Sequence, residues 1–510
     1  MGKVSQQPHS KVNHYLFASQ VLDSEALGNP MVMEEAKVAI SEEEEEKPKV
    51  GICSPKVVTL PFPLRLRGKE RFWLKNAHKQ VQQWVLEGIK APWEPETGPQ
   101  MAISLQEKTA AETQAALDLL TEYVEVGAVS MATCPPDCNF KTFLEKRKVQ
   151  YLVPWFIISK PEGDSLKHRL IADCKQLNKF FHCPHFKMEH WGKIFTLLRK
   201  GMYAAKIDLK HAYFHLPVHQ SLKPYLHLKV GNHLFQFLAA PFGLSPLPFI
   251  WTQVMKTFSR VWRKKAIFCF IYLDDILVLA FSKQKLQKDL SFVLKTLEES
   301  GLTVNTKKSI LEPVQTVEHL GFSLDLKKCM LSVPSQKMTK VIVELRKILK
   351  LKVSTPRKMA SILGSLRSFL MALPQLRCFT DRMLSFVQQV NNTNHWDSLF
   401  AIPEALRKET GNLISQLQEW KGRSLGGKVP VRFLHSDSSD YLWAGLDLNT
   451  KDVVQEYWRD QAGLHITVKE LSAAVQTVMS LAKPKEVVQL GVDNLVAYYY
   501  LLKGGGEFFI

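Results

Sequence analysis

The chain has 510 residues, enough for roughly two to four domains, and its 45% hydrophobic and 23% charged residues are typical of a globular protein. The formal net charge of +18, from 67 Lys and Arg against 49 Asp and Glu, predicts a polyanionic partner, with nucleic acid as the first candidate. The sequence shows no run of about 18 uncharged apolar residues, no N-terminal signal segment and no regular cysteine spacing, so we expect no membrane partner and a reducing, intracellular location.

The first 150 residues divide by composition into two segments. Residues 1–60 have no sustained hydrophobic period and contain the acidic run Glu42–Glu46, which is typical of a disordered leader. Residues 61–150 begin with a basic and aromatic stretch, which predicts either an extension that faces nucleic acid or helices that pack their tryptophans on the next domain. A helix is expected over residues 106–126, ending near Gly127. The tryptophans concerned are Trp73, Trp84 and Trp93.

A basic β-hairpin is predicted next. Tyr151–Ser159 is an apolar strand, residues 161–164 contain the turn formers Pro and Gly, and a second strand is expected over residues 168–178. Lys167 and Arg169 belong to this hairpin. Basic side chains in such a place suit a triphosphate or, alternatively, protect a sheet edge from aggregation.

The pattern that follows presents a carboxylate at the end of a strand. The apolar strand ends at Asp208, which is either a metal ligand or the N-cap of the next turn. Residues 232–258 then predict a strand, a bend at Pro241–Gly243 and an apolar helix through Met255. Gly243 either lets the backbone approach a ligand closely or simply makes the turn.

The stretch Ile267–Phe281 carries the strongest local signal in the chain. Its apolar residues flank Asp274 and Asp275, and their β-branched and aromatic character predicts a hairpin with both carboxylates at its tip. Two such charges about 4 Å apart repel by about 4 kcal/mol at an effective dielectric constant of about 20. We therefore expect divalent cations beside them, and the alternative is a solvent-exposed turn.

After this hairpin the sequence predicts a helix over residues 283–300 that ends at Gly301. The pair Lys307–Lys308 then lies on a loop or strand edge, and His319–Phe322 is expected to form a short strand. Strands and helices alternate throughout residues 151–325, which predicts one compact α+β unit.

Residues 335–425 change to a helical pattern. Two apolar stripes recur at i, i+3, i+4 and i+7, and the second begins after Thr355, a good N-cap that is followed by Pro at the first helical position. Both stripes indicate helices that pack in a core. They consist of Met338, Val341, Ile342, Leu345, Ile348 and Leu349, and of Met359, Ile362, Leu363, Leu366, Phe369 and Leu370.

From Val429 a further set of strands with one helix predicts a second region of mixed α/β structure. One strand ends at Asp437 and another at Asp493, and Glu470 lies near the start of the helix between them. Glu470 either forms a capping box with Thr467, worth about 1 kcal/mol to helix stability, or converges with the two aspartates on one metal site.

An ordered set of motifs resembles those of reverse transcriptases. Tyr272–Asp275 is similar to their catalytic box, and Asp208 in DLKHAYF is similar to their first catalytic aspartate. The further motifs are RLIADCKQLN (169–178), HFKME (185–189), PFGLSPLPF (241–249), GLTVNTKKS (301–309) and LGF (320–322). The C-terminal segment resembles an RNase H domain. HITVKEL, DNLVAYYYLLKGGG and RFWLKNAHKQVQQWVLEGIKAPW are most like DIRS-type retrotransposons, with other retroelement or pararetroviral polymerases as the competing assignments.

The resemblance implies an α+β right-hand polymerase fold followed by an RNase H-like α/β domain. Residues 151–325 would form the fingers and palm, residues 326–428 a helical thumb and connection, and residues 429–510 the RNase H-like domain. Relatives carry a fourth RNase H carboxylate after a further helix, whereas only Glu507 follows Asp493 here. We therefore expect an RNase H-like domain that is incomplete at its C-terminus and weak or inactive.

The resemblance also implies RNA-directed DNA synthesis from an RNA template, a DNA primer and deoxynucleoside triphosphates, with Mg²⁺ or Mn²⁺ as cofactor and an RNA–DNA hybrid as the RNase H substrate. The implied metal ligands are Asp208, Asp274 and Asp275, and in the second site Asp437, Glu470 and Asp493. The resemblance implies that Lys167 and Arg169 contact the triphosphate and that Tyr213 excludes a 2′-hydroxyl. Phe242 and Gly243 would line the nucleotide pocket. Lys307 or Lys308 would donate a proton to pyrophosphate or neutralise phosphate charge. The implied primer grip is Leu320, Gly321 and Phe322.

Two other functions compete with this interpretation. A catalytically decayed or domesticated copy would only bind nucleic acid, and the intact aspartate triad argues against it. An RNA-templated RNA polymerase would share the metal chemistry, and Tyr213 as a bulky gate argues against it. The oligomeric state, the template and the priming mechanism are not predicted from the sequence.

Overall fold

The computed structural model describes residues 60–94, 97–99, 108–162, 165–391, 396–425, 430–458, 463–483 and 486–503. The predicted leader, apart from its last residue, and Glu507 lie outside this part of the chain. The described residues fall into two compact units, a first unit within Ser54–Cys329 and a second unit within Met330–Ile510.

The first unit contains both helices and strands. Its helices are α1 (Phe62–Arg65), α2 (Glu70–Asn76), α3 (Lys79–Leu86), α4 (Ala110–Glu125), α5 (Phe140–Lys146), α6 (Trp191–Leu197), α7 (Leu247–Arg263) and α8 (Lys283–Ser300). Its strands are β1 (Val129–Thr133), β2 (Trp155–Glu162), β3 (Ser165–Ala172), β4 (Tyr203–Asp208), β5 (His227–Val230), β6 (His233–Phe237), β7 (Phe268–Tyr272), β8 (Asp275–Ala280), β9 (Ile310–Val314), β10 (Thr316–His319) and β11 (Phe322–Asp325). The mixture confirms the predicted α+β character of this region.

The central sheet of the first unit has the strand order β7-β8-β4-β9. The apolar run Ile276–Ala280 of β8 is buried throughout, as expected for a strand that is covered on both faces. Helix α7 places Trp251 and Trp262 in the same core, and the β-branched and aromatic residues of β7 pair in register with β8. Strands β1, β6 and β5 form a second sheet, and β2 pairs with β3 as the predicted hairpin.

The N-terminal helices pack their tryptophans on this core. The Trp73 side chain is fully buried and donates from Nε1 to the Ser300 carbonyl oxygen at 3.0 Å. Trp84 contacts Phe249 edge to face, and Trp93 contacts Tyr225 in the same way. The packing alternative for these tryptophans is therefore confirmed.

Several boundaries differ from the expectation. The second strand of the basic hairpin ends at Ala172, because the Asp173 carboxylate accepts from the Lys175 backbone N–H at 3.0 Å and turns the chain. Helix α7 continues past Met255 to Arg263, since no helix breaker interrupts it. Helix α4 confirms the predicted helix, with Thr109 as N-cap.

The predicted strand at His319–Phe322 is wrong. His319 ends β10 and Phe322 begins β11, and the two residues between them form the turn of a hairpin. Leu320 and Gly321 have φ of 46° and 80°, and such positive values at both turn positions match the right-handed twist of a two-residue hairpin.

The second unit begins with helices and continues as an α/β layer. Its helices are α9 (Ser335–Lys350), α10 (Pro356–Arg367), α11 (Leu376–Asn391), α12 (Glu404–Glu419), α13 (Ile466–Leu481) and α14 (Leu495–Lys503). Its strands are β12 (Met330–Ser332), β13 (Val353–Ser354), β14 (Phe400–Ala401), β15 (Arg423–Ser424), β16 (Arg432–Ser438), β17 (Leu442–Asp447), β18 (Val453–Tyr457) and β19 (Val488–Val492). The main sheet has the order β18-β17-β16-β19, in which β16 and β19 are parallel.

The helical stripes of the second unit are core positions as predicted. Val341, Leu345 and Ile348 are buried on α9, and Met359 and Leu366 are buried on α10. The Thr355 side chain accepts from the Lys358 backbone N–H, so the predicted N-cap is confirmed. None of the helices in the described ranges combines the length and the apolar character that a membrane span requires.

The predicted capping box is wrong. Helix α13 begins at Ile466, and His465 is its N-cap, with Nδ1 accepting from the Thr467 backbone N–H at 3.2 Å. Thr467 therefore lies inside the first turn and cannot cap the helix at the position that the box requires. Glu470 is left without a capping role.

Candidate active site

Two adjacent strands of the central sheet bring the three predicted aspartates together. Asp208 is the last residue of β4 and lies directly opposite Asp275, the first residue of β8. Residues directly opposite each other in an antiparallel pair point to the same face of the sheet. Asp274 occupies the two-residue turn between β7 and β8 with Leu273, whose φ is 54°. The Leu209 backbone N–H donates to the Asp274 carbonyl oxygen at 3.2 Å, which joins the two chain segments at their ends.

The Asp208 side chain is held by a loop that follows α8. Its Oδ1 accepts from Asn305 Nδ2 at 2.9 Å, and its backbone N–H donates to Ser309 Oγ at 3.0 Å. The N-cap alternative for Asp208 is wrong, because the next helical turn, Ala212–His215, has His211 at its N-cap position. Asn305 was not among the predicted site residues, although it lies in the motif GLTVNTKKS.

The burial and mutual repulsion of the three carboxylates favour a positive charge beside them. Burial raises the pKa of Asp274, and the carboxylates of Asp208 and Asp275 raise it further, while Lys308 lowers it. Lys206 Nζ forms an ion pair with Asp275 Oδ1 at 3.0 Å. Lys206 was also missed by the sequence analysis, although it lies two residues before Asp208 and therefore on the same face of β4.

The spacing of these carboxylates is wider than that of a closed metal cluster. Among the described residues, one group of three acidic side chains has possible ligand atoms that all lie within 4.8 Å of one another. This group belongs to the second unit. In the first unit, the ion pair with Lys206 holds the Asp275 carboxylate. Asp208 and Asp274 carry no ion pair of this kind among the described contacts, so they are the carboxylates best placed to bind an added cation.

Two residues that were predicted for a nucleotide pocket, Tyr213 and Phe242, contact each other. The ring of Tyr213 is buried, with its centroid 4.9 Å from that of Phe242 and 5.9 Å from that of Trp251. Burial raises the pKa of Tyr213 to about 12, and Asp274 adds to the shift, so the two side chains are close enough to interact. The Phe242 ring is about half exposed, so part of this aromatic side chain is open to solvent beside Tyr213.

Gly243 is required by a close approach of two backbones. Its φ is 116°, and a Cβ at this position would lie 2.7 Å from the Ala172 carbonyl oxygen at the end of β3. The Asn178 side chain fixes the same bend, because Nδ2 donates to the Gly243 carbonyl oxygen at 2.9 Å and Oδ1 accepts from the Ser245 N–H at 2.8 Å. The turn is therefore sufficient to explain Gly243, and Asn178 is a residue that the sequence analysis missed.

The predicted basic residues lie at different places. Arg169 is exposed on β3, opposite Ile158 of β2. The side chain of Lys167 lies outside the described residues. Lys307 and Lys308 are exposed, and the effect of Lys308 on Asp274 places it on the side of the aspartates.

The predicted primer-grip residues lie at the turn between β10 and β11 and at the start of β11. Leu320 and Gly321 are its two central residues, and the buried ring of Phe322 contacts Trp191 edge to face at 5.9 Å between centroids. Packing of this kind fixes the position of the turn relative to Trp191.

A second acidic cluster lies in the second unit. Possible ligand atoms of Asp437, Glu470 and Asp493 all lie within 4.8 Å of one another. Strands β16 and β19 run parallel with Ser436 opposite Val492, so that Asp437 and Asp493 leave the same edge of the sheet. Glu470 meets them from the first turns of α13.

Glu470 fits a cation-binding role. Burial raises its pKa to about 7, with further contributions from Asp493 and Asp437. Its buried Oε2 has no hydrogen-bond partner among the described residues. A buried carboxylate oxygen without a partner, between two other carboxylates, is suited to bind a divalent cation. Lys469 was not predicted; its buried Nζ donates to the Asp440 carbonyl oxygen at 3.0 Å and holds the turn after Asp437.

The three aspartates of the first site lie within a segment that matches a known protein family. Residues 158–324 match the family model described as "Reverse transcriptase (RNA-dependent DNA polymerase)". "Protein P" of duck hepatitis B virus (isolate brown Shanghai duck S5) is 28% identical over 179 residues, which cover 34% of this chain and 22% of that protein. "Retrovirus-related Pol polyprotein from transposon opus" of Drosophila melanogaster is 28% identical over 169 residues, which cover 33% of this chain and 17% of that protein.

The likeness to solved structures is one of fold. The foamy viral protease-reverse transcriptase in complex with dsDNA has a TM-score of 0.53 and 16% identity, and covers 85% of this chain and 90% of that chain. The same viral protein in complex with an RNA/DNA hybrid has a TM-score of 0.51 and 15% identity, with 85% of this chain and 58% of that chain covered. The chain thus has a polymerase fold like that of retroviral reverse transcriptases, whereas the match to Protein P spans 22% of that relative's length.

Proposed function

We propose that this chain is an RNA-directed DNA polymerase of a retroelement, which extends a DNA primer on an RNA template with deoxynucleoside triphosphates. The observation that carries the proposal is the register of β4 and β8, which sets Asp208 opposite Asp275 and next to Asp274 within the segment that matches reverse transcriptases. The motifs around residues 71–93 and 465–471 support a DIRS-type origin within that family.

Asp208 and Asp274 would hold Mg²⁺ or Mn²⁺, with Asp275 beside them. Bound divalent cations lower the pKa of the primer hydroxyl and stabilise the charge that develops on pyrophosphate. Burial, and then repulsion by Asp208 and Asp275, raise the pKa of Asp274, so the carboxylates fit a site that binds positive charge. The Lys206 ammonium group neutralises the charge of Asp275 and holds its carboxylate in an ion pair.

The remaining residues of the first unit would bind and orient the nucleotide. Lys167 and Arg169 would contact the triphosphate from the hairpin, where the guanidinium of Arg169 offers a bidentate fork. Lys308, which acts on Asp274, would supply a proton or positive charge to the leaving pyrophosphate. Tyr213 and Phe242 would pack against the sugar and favour deoxynucleotides, because their rings are in contact beside Asp274.

Primer extension tests this proposal directly. On a poly(rA) template with an oligo(dT) primer, the wild-type protein should extend the primer in the presence of Mg²⁺, and Asp274→Asn should abolish extension while primer–template affinity stays within about twofold, because only the metal ligand is lost. Equal activity of both proteins would refute the site assignment. A wild-type protein that binds the primer–template but never extends it would support the alternative of a decayed or domesticated nucleic-acid-binding protein.

The cluster of Asp437, Glu470 and Asp493 supports a second activity, the cleavage of RNA in an RNA–DNA hybrid. Three carboxylates within ligand distance of one another are suited to metal-assisted hydrolysis of a phosphodiester. We propose an RNase H-like domain at residues 429–510, after fingers and palm at 151–325 and a helical thumb and connection at 326–428.

Hybrid cleavage is tested on a labelled RNA–DNA duplex with Mg²⁺ or Mn²⁺. We expect weak or absent cleavage by the wild type, and any wild-type cleavage that Asp493→Asn abolishes would establish the second site. Cleavage that persists in Asp493→Asn would show that it comes from elsewhere in the preparation, and no cleavage by the wild type would limit the function to DNA synthesis.

A further inference from the structure

We propose that the N-terminal segment Phe62–Trp73 positions the carboxylate of Asp208, acting through residues 300–305, and that Asn305 is the positioning residue in contact with that carboxylate. The inference rests on the proposed polymerase function.

The first step is the contact between Asn305 and Asp208. Asn305 Nδ2 donates to Asp208 Oδ1 at 2.9 Å, and the Asn305 backbone N–H donates to the Asp208 carbonyl oxygen at 2.8 Å. Ser309 Oγ accepts from the Asp208 N–H and donates to the Asn305 carbonyl oxygen at 2.7 Å. One carboxylate oxygen is therefore fixed by an amide, and Oδ2 is left for a cation.

The second step is the attachment of the same loop to the strand end. Val304 pairs with Leu209 as an isolated antiparallel bridge, and the Lys210 backbone N–H donates to the Thr303 carbonyl oxygen at 2.8 Å. The Thr303 backbone N–H donates to Nε2 of the buried His215 at 3.2 Å. A displacement of residue 303 would therefore move the chain that directly follows Asp208.

The N-terminal segment also forms hydrogen bonds to residues 300–303. Arg65 Nη1 donates to Thr303 Oγ1 at 2.6 Å, and Trp73 Nε1 donates to the Ser300 carbonyl oxygen at 3.0 Å. The buried ring of Phe62 lies edge to face against His215 at 4.8 Å between centroids.

Gly301 is tightly enclosed by the same segment. A Cβ at Gly301 would lie 2.4 Å from the Arg65 carbonyl oxygen, so backbone meets backbone at this point. Arg65 thus contacts Thr303, the backbone continues from Thr303 to Asn305, and Asn305 contacts Asp208. Groups that orient a metal ligand from behind typically change metal affinity or activity by 10–100-fold when they are removed.

The test measures metal dependence rather than activity alone. Asn305→Ala should raise the Mg²⁺ concentration for half-maximal primer extension at least about tenfold and lower kcat by about 10–100-fold, with primer–template Kd within about twofold of wild type. Thr303→Val should change the Mg²⁺ requirement in the same direction and Thr303→Ser should restore it, because serine keeps the hydroxyl that accepts from Arg65. Asn76→Ala, which removes an amide bonded to the Phe72 carbonyl oxygen in the same unit, is the matched control.

If Asn305 has only a structural role, Asn305→Ala should lower the melting temperature or the active fraction and leave the Mg²⁺ requirement at the wild-type value. That result would overturn the inference. Mn²⁺ affinity, measured by electron paramagnetic resonance with a chain-terminated primer–template, separates the two proposals. If the wild type never extends primers, the proposed function fails, and the inference then stands or falls on whether Asn305→Ala weakens Mn²⁺ binding relative to wild type and Asn76→Ala.

Discussion

The buried ring of Tyr213 contacts Phe242, its hydroxyl lies within the electrostatic range of Asp274, and we propose that this ring excludes a 2′-hydroxyl. Replacement by Ala removes the ring and opens space beside the aspartates. We expect Tyr213→Ala to raise ribonucleotide incorporation relative to deoxynucleotides by at least about tenfold, the usual scale of steric discrimination in a pocket. Tyr213→Phe keeps the ring and should behave like wild type. Steady-state insertion of both sugar types on one template measures the ratio, and an unchanged ratio in Tyr213→Ala would remove this role.

His215 makes the stability of the first unit sensitive to acid. Burial lowers its pKa to about 3, well below the ordinary value of about 6.5 in the unfolded chain. The unfolded chain therefore binds one more proton below pH about 6.5, and the free energy of unfolding falls by about 1.4 kcal/mol per pH unit as the pH drops towards 3.

Thermal unfolding between pH 7 and pH 5 measures this effect. His215→Gln should flatten the acid limb by one proton, whereas His78→Gln, which removes an exposed histidine at the start of α3, should keep the wild-type slope. Identical slopes in all three proteins would contradict the assignment of a neutral buried histidine.

At this scale the sequence predicts side chains whose chemistry is local and misses those whose partner is distant. Asp208 and Asp274 stand out because each interrupts or ends an apolar run. Asn305 contacts Asp208 across 97 residues, and no short-range pattern marks that pairing. Lys206 looks like an ordinary strand lysine until β8 brings Asp275 next to it.

Among the elements, α8 shows why some boundaries are predictable. Ser282 caps its start by accepting from the Lys285 N–H, and Gly301 ends it with φ of 87°. Both helix ends are therefore determined by residues next to the helix. The hairpin turn at Leu320 and the start of α13 were missed, because a non-glycine residue at positive φ and a histidine N-cap are uncommon signals.

The close approach at Gly301 predicts a large effect from one methyl group. Gly301→Ala places Cβ 2.4 Å from the Arg65 carbonyl oxygen and forces alanine into left-handed backbone, so we expect a loss of at least about 1 kcal/mol in the free energy of unfolding. Gly364→Ala in the interior of α10 has no heavy atom of this kind within 4 Å and should instead stabilise the protein by up to about 1 kcal/mol. Denaturant unfolding compares the two variants, and equal stability would contradict the close packing at Gly301.

At the scale of the whole molecule, the net positive charge bears on the proposed binding of nucleic acid. A net charge of +18 predicts that phosphate contacts supply much of the affinity and release counterions on binding. If about six to ten phosphates are contacted, affinity for a primer–template should fall by about 10³–10⁵ between 50 and 200 mM salt. Fluorescence anisotropy over this range measures the slope, and a salt-independent Kd would contradict an electrostatic interface.

The fold class of the whole chain was predictable because long periodic segments and ordered motifs support one another. The α+β pattern of residues 151–325 and the helical stripes after 335 appear in the structure, and the likeness to foamy viral reverse transcriptase supports the polymerase fold. The RNase H-like assignment of residues 429–510 and the domain borders remain predictions, because each depends on long-range arrangement that local patterns do not encode.

The central claim is that Asp208 and the Asp274–Asp275 pair act together in DNA synthesis. The most direct measurement is Mg²⁺-dependent primer extension on an RNA template by wild type, Asp208→Asn and Asp325→Asn at equal primer–template occupancy. Asp325 lies on β11 and accepts from the Lys328 backbone N–H, so it controls for the loss of one carboxylate in the same unit. We predict extension by wild type and Asp325→Asn and none by Asp208→Asn. Extension by Asp208→Asn at the wild-type rate would contradict the account.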